Sequence, residues 1–86
     1  MPRILKFELP ISPGSHGLSL PKVIVPRLID VQEGRPYLWA ECDGVDYAKV
    51  VSVAYTGHDR PGGNYIGTAL LDEGRYVLHY YLEGFA

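Results

Sequence analysis

Apolar and polar residues alternate with a period of two along much of this chain, the signature of extended strands with one wet face. Residues 3–9 are the cleanest case: Leu5, Phe7 and Leu9 point one way, Lys6 and Glu8 the other. No stretch repeats apolar residues at i, i+3, i+4 and i+7, and ten glycines and seven prolines punctuate the chain, so helix is not predicted. Residues 10–17 read as a turn-rich connection, followed by a short strand at 18–20 that Pro21 ends. Residues 22–32 are β-rich but contain Pro26, whose missing N–H predicts an edge strand or a bulge. Glu33-Gly34 then turns the chain into a strand at 37–42. Asp43-Gly44 predicts a type I′ hairpin in which Cys42 faces Val45. Residues 46–55 carry Val50, Val51, Val53 and Ala54 on both faces, as a central strand covered on each side would.

The last hairpin can be registered by counting. Asp72-Glu73-Gly74 reads as a loop with glycine in the left-handed position, which pairs Leu71 with Arg75. Tyr65 then opposes Tyr81, Gly67 opposes His79 and Ala69 opposes Val77. Ile66/Tyr80, Thr68/Leu78 and Leu70/Tyr76 fall on the other face. Neither face is polar, so both need cover, from the remaining strands or from another copy of the chain. The expectation is a single all-β domain over residues 1–86, with little or no helix. It is a small antiparallel sheet, sandwich or partly open barrel of about five to six strands, expected to form a homo-oligomer.

Size and charge narrow the picture. A chain of 86 residues has room for one core and buries about 60–65% of the surface its unfolded form exposes. The formal net charge is −2, which offers no general attraction to a phosphate backbone or an anionic bilayer, so neither nucleic acid nor membrane is expected as a partner. The residues after Met1 alternate charge with apolar side chains and lack the continuous apolar run of a signal peptide. Cys42 is the lone cysteine, which excludes an intramolecular disulfide and paired-cysteine metal patterns and suits a reducing cytoplasm.

Polar chemistry concentrates in one connection, Thr56-Gly57-His58-Asp59-Arg60-Pro61-Gly62-Gly63-Asn64, which is longer than a hairpin needs. Glycine amides can converge on an anion there, with Arg60 clamping a phosphate or carboxylate. The same residue types also make an ordinary solvated turn. Tyr55 borders the connection, where it could stack on a ligand held there, and Trp39 is a further aromatic candidate that ordinary β propensity explains equally well. His79 beside Tyr65 and Tyr81 forms an aromatic recess, its ring filling the space that Gly67 leaves. His58 and His79 lack a third ligand at a diagnostic spacing, so no metal and no cofactor is expected. Ser52, His58 and Asp59 make a nucleophile system on paper only, with no elbow or oxyanion loop to position it, and no catalytic residue is assigned. Cys42 has no basic neighbour and reads as an inert thiol. Seven tyrosines, one tryptophan and two phenylalanines favour an interface, since such rings bury area while keeping a polar tip wet.

Tyr37-Leu38-Trp39-Ala40, Tyr55-Thr56-Gly57-His58 with Pro61 following, Tyr65-Ile66-Gly67-Thr68 and Leu78-His79, in that order, resemble a family of small uncharacterised proteins encoded by tailed bacteriophages and prophages. The resemblance runs from about Lys6 to Glu83 and departs from the group at residues 10–17 and at Gly84-Phe85-Ala86. It implies a non-enzymatic, host-directed binding protein of the bacterial cytoplasm that counters host defence. Two versions follow: sequestration of a small anionic nucleotide messenger, or blockage of a host defence protein. A self-assembling structural or virion-accessory module is the alternative, and a small hydrolase ranks last.

Overall fold

Residues 35–55 form one strand, the spine of the domain. In the computed structural model, which describes residues 2–83, the elements are β1 (Arg3–Glu8), β2 (Gly14–Gln32), β3 (Arg35–Tyr55), β4 (Asn64–Leu71) and β5 (Tyr76–Glu83). They make one antiparallel sheet, with no helix among the described residues. β2 pairs β3 along almost its whole length on one side. On the other side β1 takes the first part of β3 and β5 the last, with β4 outside β5. The sheet curls into a half-barrel, as the all-β expectation requires.

The long strand corrects the hairpin expected at Asp43-Gly44. Between Pro21↔Asp46 and Val23↔Asp43, β2 advances two residues and β3 three. The surplus residue is a bulge inside β3, at Gly44 (φ 84°), whose N–H donates to Asp43 Oδ1 at 2.8 Å. The left-handed backbone that suits a type I′ turn also suits such a bulge. The insertion flips side-chain parity. Pro36, Leu38, Ala40 and Cys42 face inward before it, and Val51 and Val53 after it. A second bulge, on β2 between Pro26 and Leu28, is where the proline cannot join the ladder, as the sequence predicts. The connection expected at 10–17 is shorter, because β2 begins at Gly14 and takes in residues 18–20.

Leu38, Leu78, Leu82, Val51 and Tyr80 fill the inner face and are essentially inaccessible. Each buried leucine stabilises the fold by about 2–3 kcal/mol. Residues 9–13 cross one mouth of the half-barrel, held by Leu9 N–H on the Pro36 carbonyl (3.0 Å), the Tyr80 hydroxyl on the Pro10 carbonyl (2.7 Å) and the Tyr55 hydroxyl on the Ile11 carbonyl (3.2 Å).

The final hairpin keeps Tyr65 opposite Tyr81 but otherwise slips by one residue from the counted register. Leu71 pairs Tyr76, Thr68 pairs His79 and Gly67 pairs Tyr80. The turn is the cause: Asp72 and Glu73 both adopt positive φ (51° and 56°), and the loop takes in Arg75 as well. A bulge between Tyr65 and Gly67 restores the register beyond it. Gly67 (φ 150°) brings β4 against β2, since a Cβ there would lie 2.8 Å from Ile29 Cδ1 and 3.1 Å from Ile29 Cγ1.

Gly67→Ala is expected to destabilise the fold by about 2 kcal/mol or more through backbone strain and overpacking against Ile29, read as a lower urea midpoint with an unchanged slope. An unchanged midpoint would contradict the β4–β2 closure. Alkaline stability reports on Tyr80. Burial, with a smaller contribution from Tyr55, pushes the Tyr80 phenol above its ordinary range, and burial likewise raises the Cys42 thiol. Raised values in the folded state mean that the stabilisation is full below the unfolded pKa values, about 8.5 for a thiol and 10 for a phenol. It is lost as pH climbs above them. Tyr80→Phe is expected to cost about 1 kcal/mol at pH 7 by losing the Pro10 bond. The deficit should shrink above about pH 10, where denaturant titrations of the two proteins converge.

Candidate functional site

The length of the 56–63 connection has a topological cause. β3 and β4 both run antiparallel to β5, so they are parallel to each other and cannot be joined by a tight turn. β3 ends at Tyr55, level with Leu78, whereas β4 begins at Asn64, level with Leu82. The chain must therefore run back ~13 Å along the strand direction while passing β5. It does so over the outer face. Gly62 and Gly63 lie against Glu83, and Gly63 also against the Leu82 backbone. The Arg60 guanidinium sits over the Tyr81 ring at 5.1 Å and donates to the Gly63 carbonyl at 3.3 Å. Ser52 and Ala54, opposite Tyr81 and His79, are buried although they face outward.

Beneath and beside the crossover, the outer faces of β3, β5 and β4 bring together a chain of hydroxyls around one imidazole. Thr56 Oγ1 lies 2.7 Å from His79 Nε2, and Thr68 Oγ1 lies 3.0 Å from His79 Nδ1. The Tyr65 hydroxyl lies 2.5 Å from Thr68 Oγ1. The Tyr65 and Tyr81 rings meet edge to face at 5.7 Å. Ser52 bonds Ser15 of β2 at 3.0 Å, extending the polar strip. The register slip makes this possible, because it sets Thr68 rather than Gly67 opposite His79. Both ring nitrogens of His79 are thereby occupied by hydroxyls.

Several residues singled out in the sequence converge here: Thr56, Arg60, Tyr65, His79 and Tyr81. Gly57, Asp59 and Asn64 lie along or beside the crossover, exposed. Others go elsewhere. Tyr55 faces inward and spends its hydroxyl on Ile11, its ring 5.7 Å from that of His58, apart from Arg60 over Tyr81. Trp39 lies near the other end of β3, on the far side of the Gly44 bulge. There Lys6 Nζ sits 4.1 Å from the Tyr37 ring centroid and 5.5 Å from that of Trp39, bonded to Gln32 Oε1 at 2.7 Å. Ser52 pairs with Ser15, not His58, which dissolves the paper triad. Thr68 is the member that sequence reasoning missed. Its signal is a hydroxyl within the otherwise apolar run 66–71, and recognising it requires the true register.

Thr56, Arg60 and Tyr65 of this site are exposed. Two recesses occur on other parts of the domain, one of about 360 Å³ lined by Arg3, Leu5, Phe7, Pro21, Cys42 and the bulge. The other, of about 310 Å³, is lined by Ile11, Tyr55, Leu71, Tyr76 and Leu78. Neither includes the hydroxyl chain. Among the described residues no carboxylate forms an ion pair with Arg60, and no His, Cys, Asp and Glu side chains cluster as a metal group. Chemically the patch offers a cation on an aromatic ring, an exposed phenol and a chain of reversible hydrogen-bond donors.

Comparison with known proteins places this fold without naming a chemistry. No curated protein and no solved structure matches the chain. A family model described as a domain of unknown function, DUF7352, matches residues 1–85, and the chain belongs to that family.

Proposed function

We propose that this protein acts by binding rather than by catalysis. It is a phage-encoded inhibitor that works in the host bacterial cytoplasm and seats on a bacterial defence protein through its outer face. The observation that carries the reading is the open patch in which Arg60 stacks on Tyr81 beside Tyr65 and the His79 hydroxyl chain. Arginine and tyrosine are the side chains that most often anchor interfaces. The openness favours a macromolecular surface over a small nucleotide, since small-ligand sites are concave and enclose most of their ligand. Thr56 bonded to His79 has the form of a nucleophile and base, but Thr56 stands open to solvent and neither of the two recesses includes the pair. The phage and counter-defence elements rest on the motif resemblance at Tyr37–Ala40, Tyr55–His58, Tyr65–Thr68 and Leu78-His79.

A second reading, a self-assembling virion-accessory module, is favoured by exposed Ile11 and Tyr76 at the rim of the apolar recess, with Leu70 nearby. It predicts a concentration-dependent increase in mass by light scattering that Tyr76→Ser abolishes. A monomer at every concentration would exclude it.

The leading proposal predicts that the tagged protein captures a discrete defence component from host lysate, and that an Arg60→Ala/Tyr81→Ser variant with unchanged melting temperature captures at least tenfold less. The same variant should lose the ability to restore plating of a defence-sensitive phage. Equal capture by both proteins, or plating unaffected by either, would overturn it.

A further inference from the structure

The number of protons on His79 decides what the ends of the hydroxyl chain offer to a partner. A neutral imidazole has one N–H and one bare nitrogen. With the proton on Nε2, His79 donates to Thr56, Thr68 donates to Nδ1 and Tyr65 donates to Thr68, leaving the Thr56 hydrogen as the outward donor. With the proton on Nδ1 the chain reverses: Thr56 spends its hydrogen on Nε2, and Tyr65 keeps the outward donor. An imidazolium donates from both nitrogens. Thr68 then passes its hydrogen to Tyr65, and Thr56 and Tyr65 turn donors outward together, beside a new positive charge and the Arg60 guanidinium.

We infer that the outer face takes up carboxylate groups of its protein partner together with a proton on His79. This rests on reading that face as the docking surface, and it assigns the partner an acidic contact region. Charge complementarity is the ground for that assignment, because Arg60 carries no carboxylate partner among the described residues. The neighbours of His79 fit. β3 contributes Ala54, and Thr56 follows its last residue, both without charge. β4 contributes Thr68 and Tyr65, and β5 contributes Tyr81 and, farther along the same face, Glu83. The crossover contributes Arg60 over Tyr81, with exposed Asp59 and with His58 turned to Tyr55. Glu83 lies against Gly62 and Gly63. β2 brings Ser15 beside Ser52. Linkage fixes the sign: an anion that prefers the imidazolium binds more tightly as pH falls through the histidine range, about pH 8 to 5, and raises the pH at which His79 titrates.

The test follows the ring protons of His16, His58 and His79 by NMR across pH, with and without a saturating oligoglutamate peptide. The His79 midpoint is expected to rise by about one unit, equivalent to tenfold tighter binding by the protonated form, while His16 and His58 move much less. Thr68→Val should remove most of that rise. Tyr65→Phe, at an exposed position, should act in the same direction if the valine variant does not fold. Arg60→Gln should weaken peptide binding at every pH and leave the His79 coupling in place. A His79 midpoint unmoved by peptide, or equal movement of all three histidines, would overturn the inference. A larger rise with inorganic phosphate than with peptide of equal charge would overturn the carboxylate assignment in favour of a phosphate ligand. Failure here with intact capture of a host protein leaves the docking proposal standing. Peptide coupling without capture removes the defence target and leaves the anion site.

Discussion

Every layer of this domain depends on a single strand keeping one face inward while it bends. β3 is 21 residues long, and at that length a regular strand twists its face away from any common core. The bulge at Gly44 supplies the bend and also inverts the alternation, so that even-numbered residues before it and odd-numbered residues after it share the inner face. Without the extra residue, Val51 and Val53 would point to the outside. Ser52 and Ala54 would take their place over Tyr80 and Leu82. The part of β3 after Gly44 would turn its valines away from the core, as a one-residue slip requires.

The outer face is a by-product of topology put to use. Because β5 lies between β3 and β4, their connection must cross it, and a crossover without a helix exposes backbone that needs polar or glycine-rich sequence. The Thr56–Asn64 segment has that composition. Its passage delivers Arg60 to Tyr81. The hydroxyl network beneath it satisfies both nitrogens of His79 within the chain itself, and among the described residues no buried side-chain polar atom lacks a partner. Such a fully satisfied network is rigid, and its donors can be reversed at little cost by rotating hydroxyls.

Much of the fold is legible in the sequence because alternation and proline chemistry are local. The inward set of β1, the irregularity at Pro26, the two-sided cover of residues 50–54 and the Tyr65–Tyr81 pair all follow from residue types at fixed spacing. What is not legible turns on backbone choices that the same residues permit in two ways. Asp43-Gly44 suits a hairpin turn and a bulge equally, and only the partner strand, running on past both residues, selects the bulge. Asp72-Glu73-Gly74 admits two loops differing by one residue, and the choice moves every pair in the hairpin until Ile66 absorbs the difference. The candidate site inherits this: Arg60, His79 and Tyr81 stand out by chemistry alone. Thr68 becomes visible once His79 has been given its true neighbour, and that Tyr55 and Trp39 lie apart from His79 follows only from the inner face and the length of β3.

Two patches of cation on aromatic ring, Lys6 with Tyr37 and Trp39 and Arg60 with Tyr81, stand on the outer face near opposite ends of a molecule 38 Å long. Both are built on β3 and its immediate neighbours, with no linker or hinge between them. Their separation is thus set by the hydrogen-bonded ladder of one strand, which makes the domain a fixed ruler. A surface that reaches both patches meets them at one spacing and one orientation, and its second contact costs little further ordering.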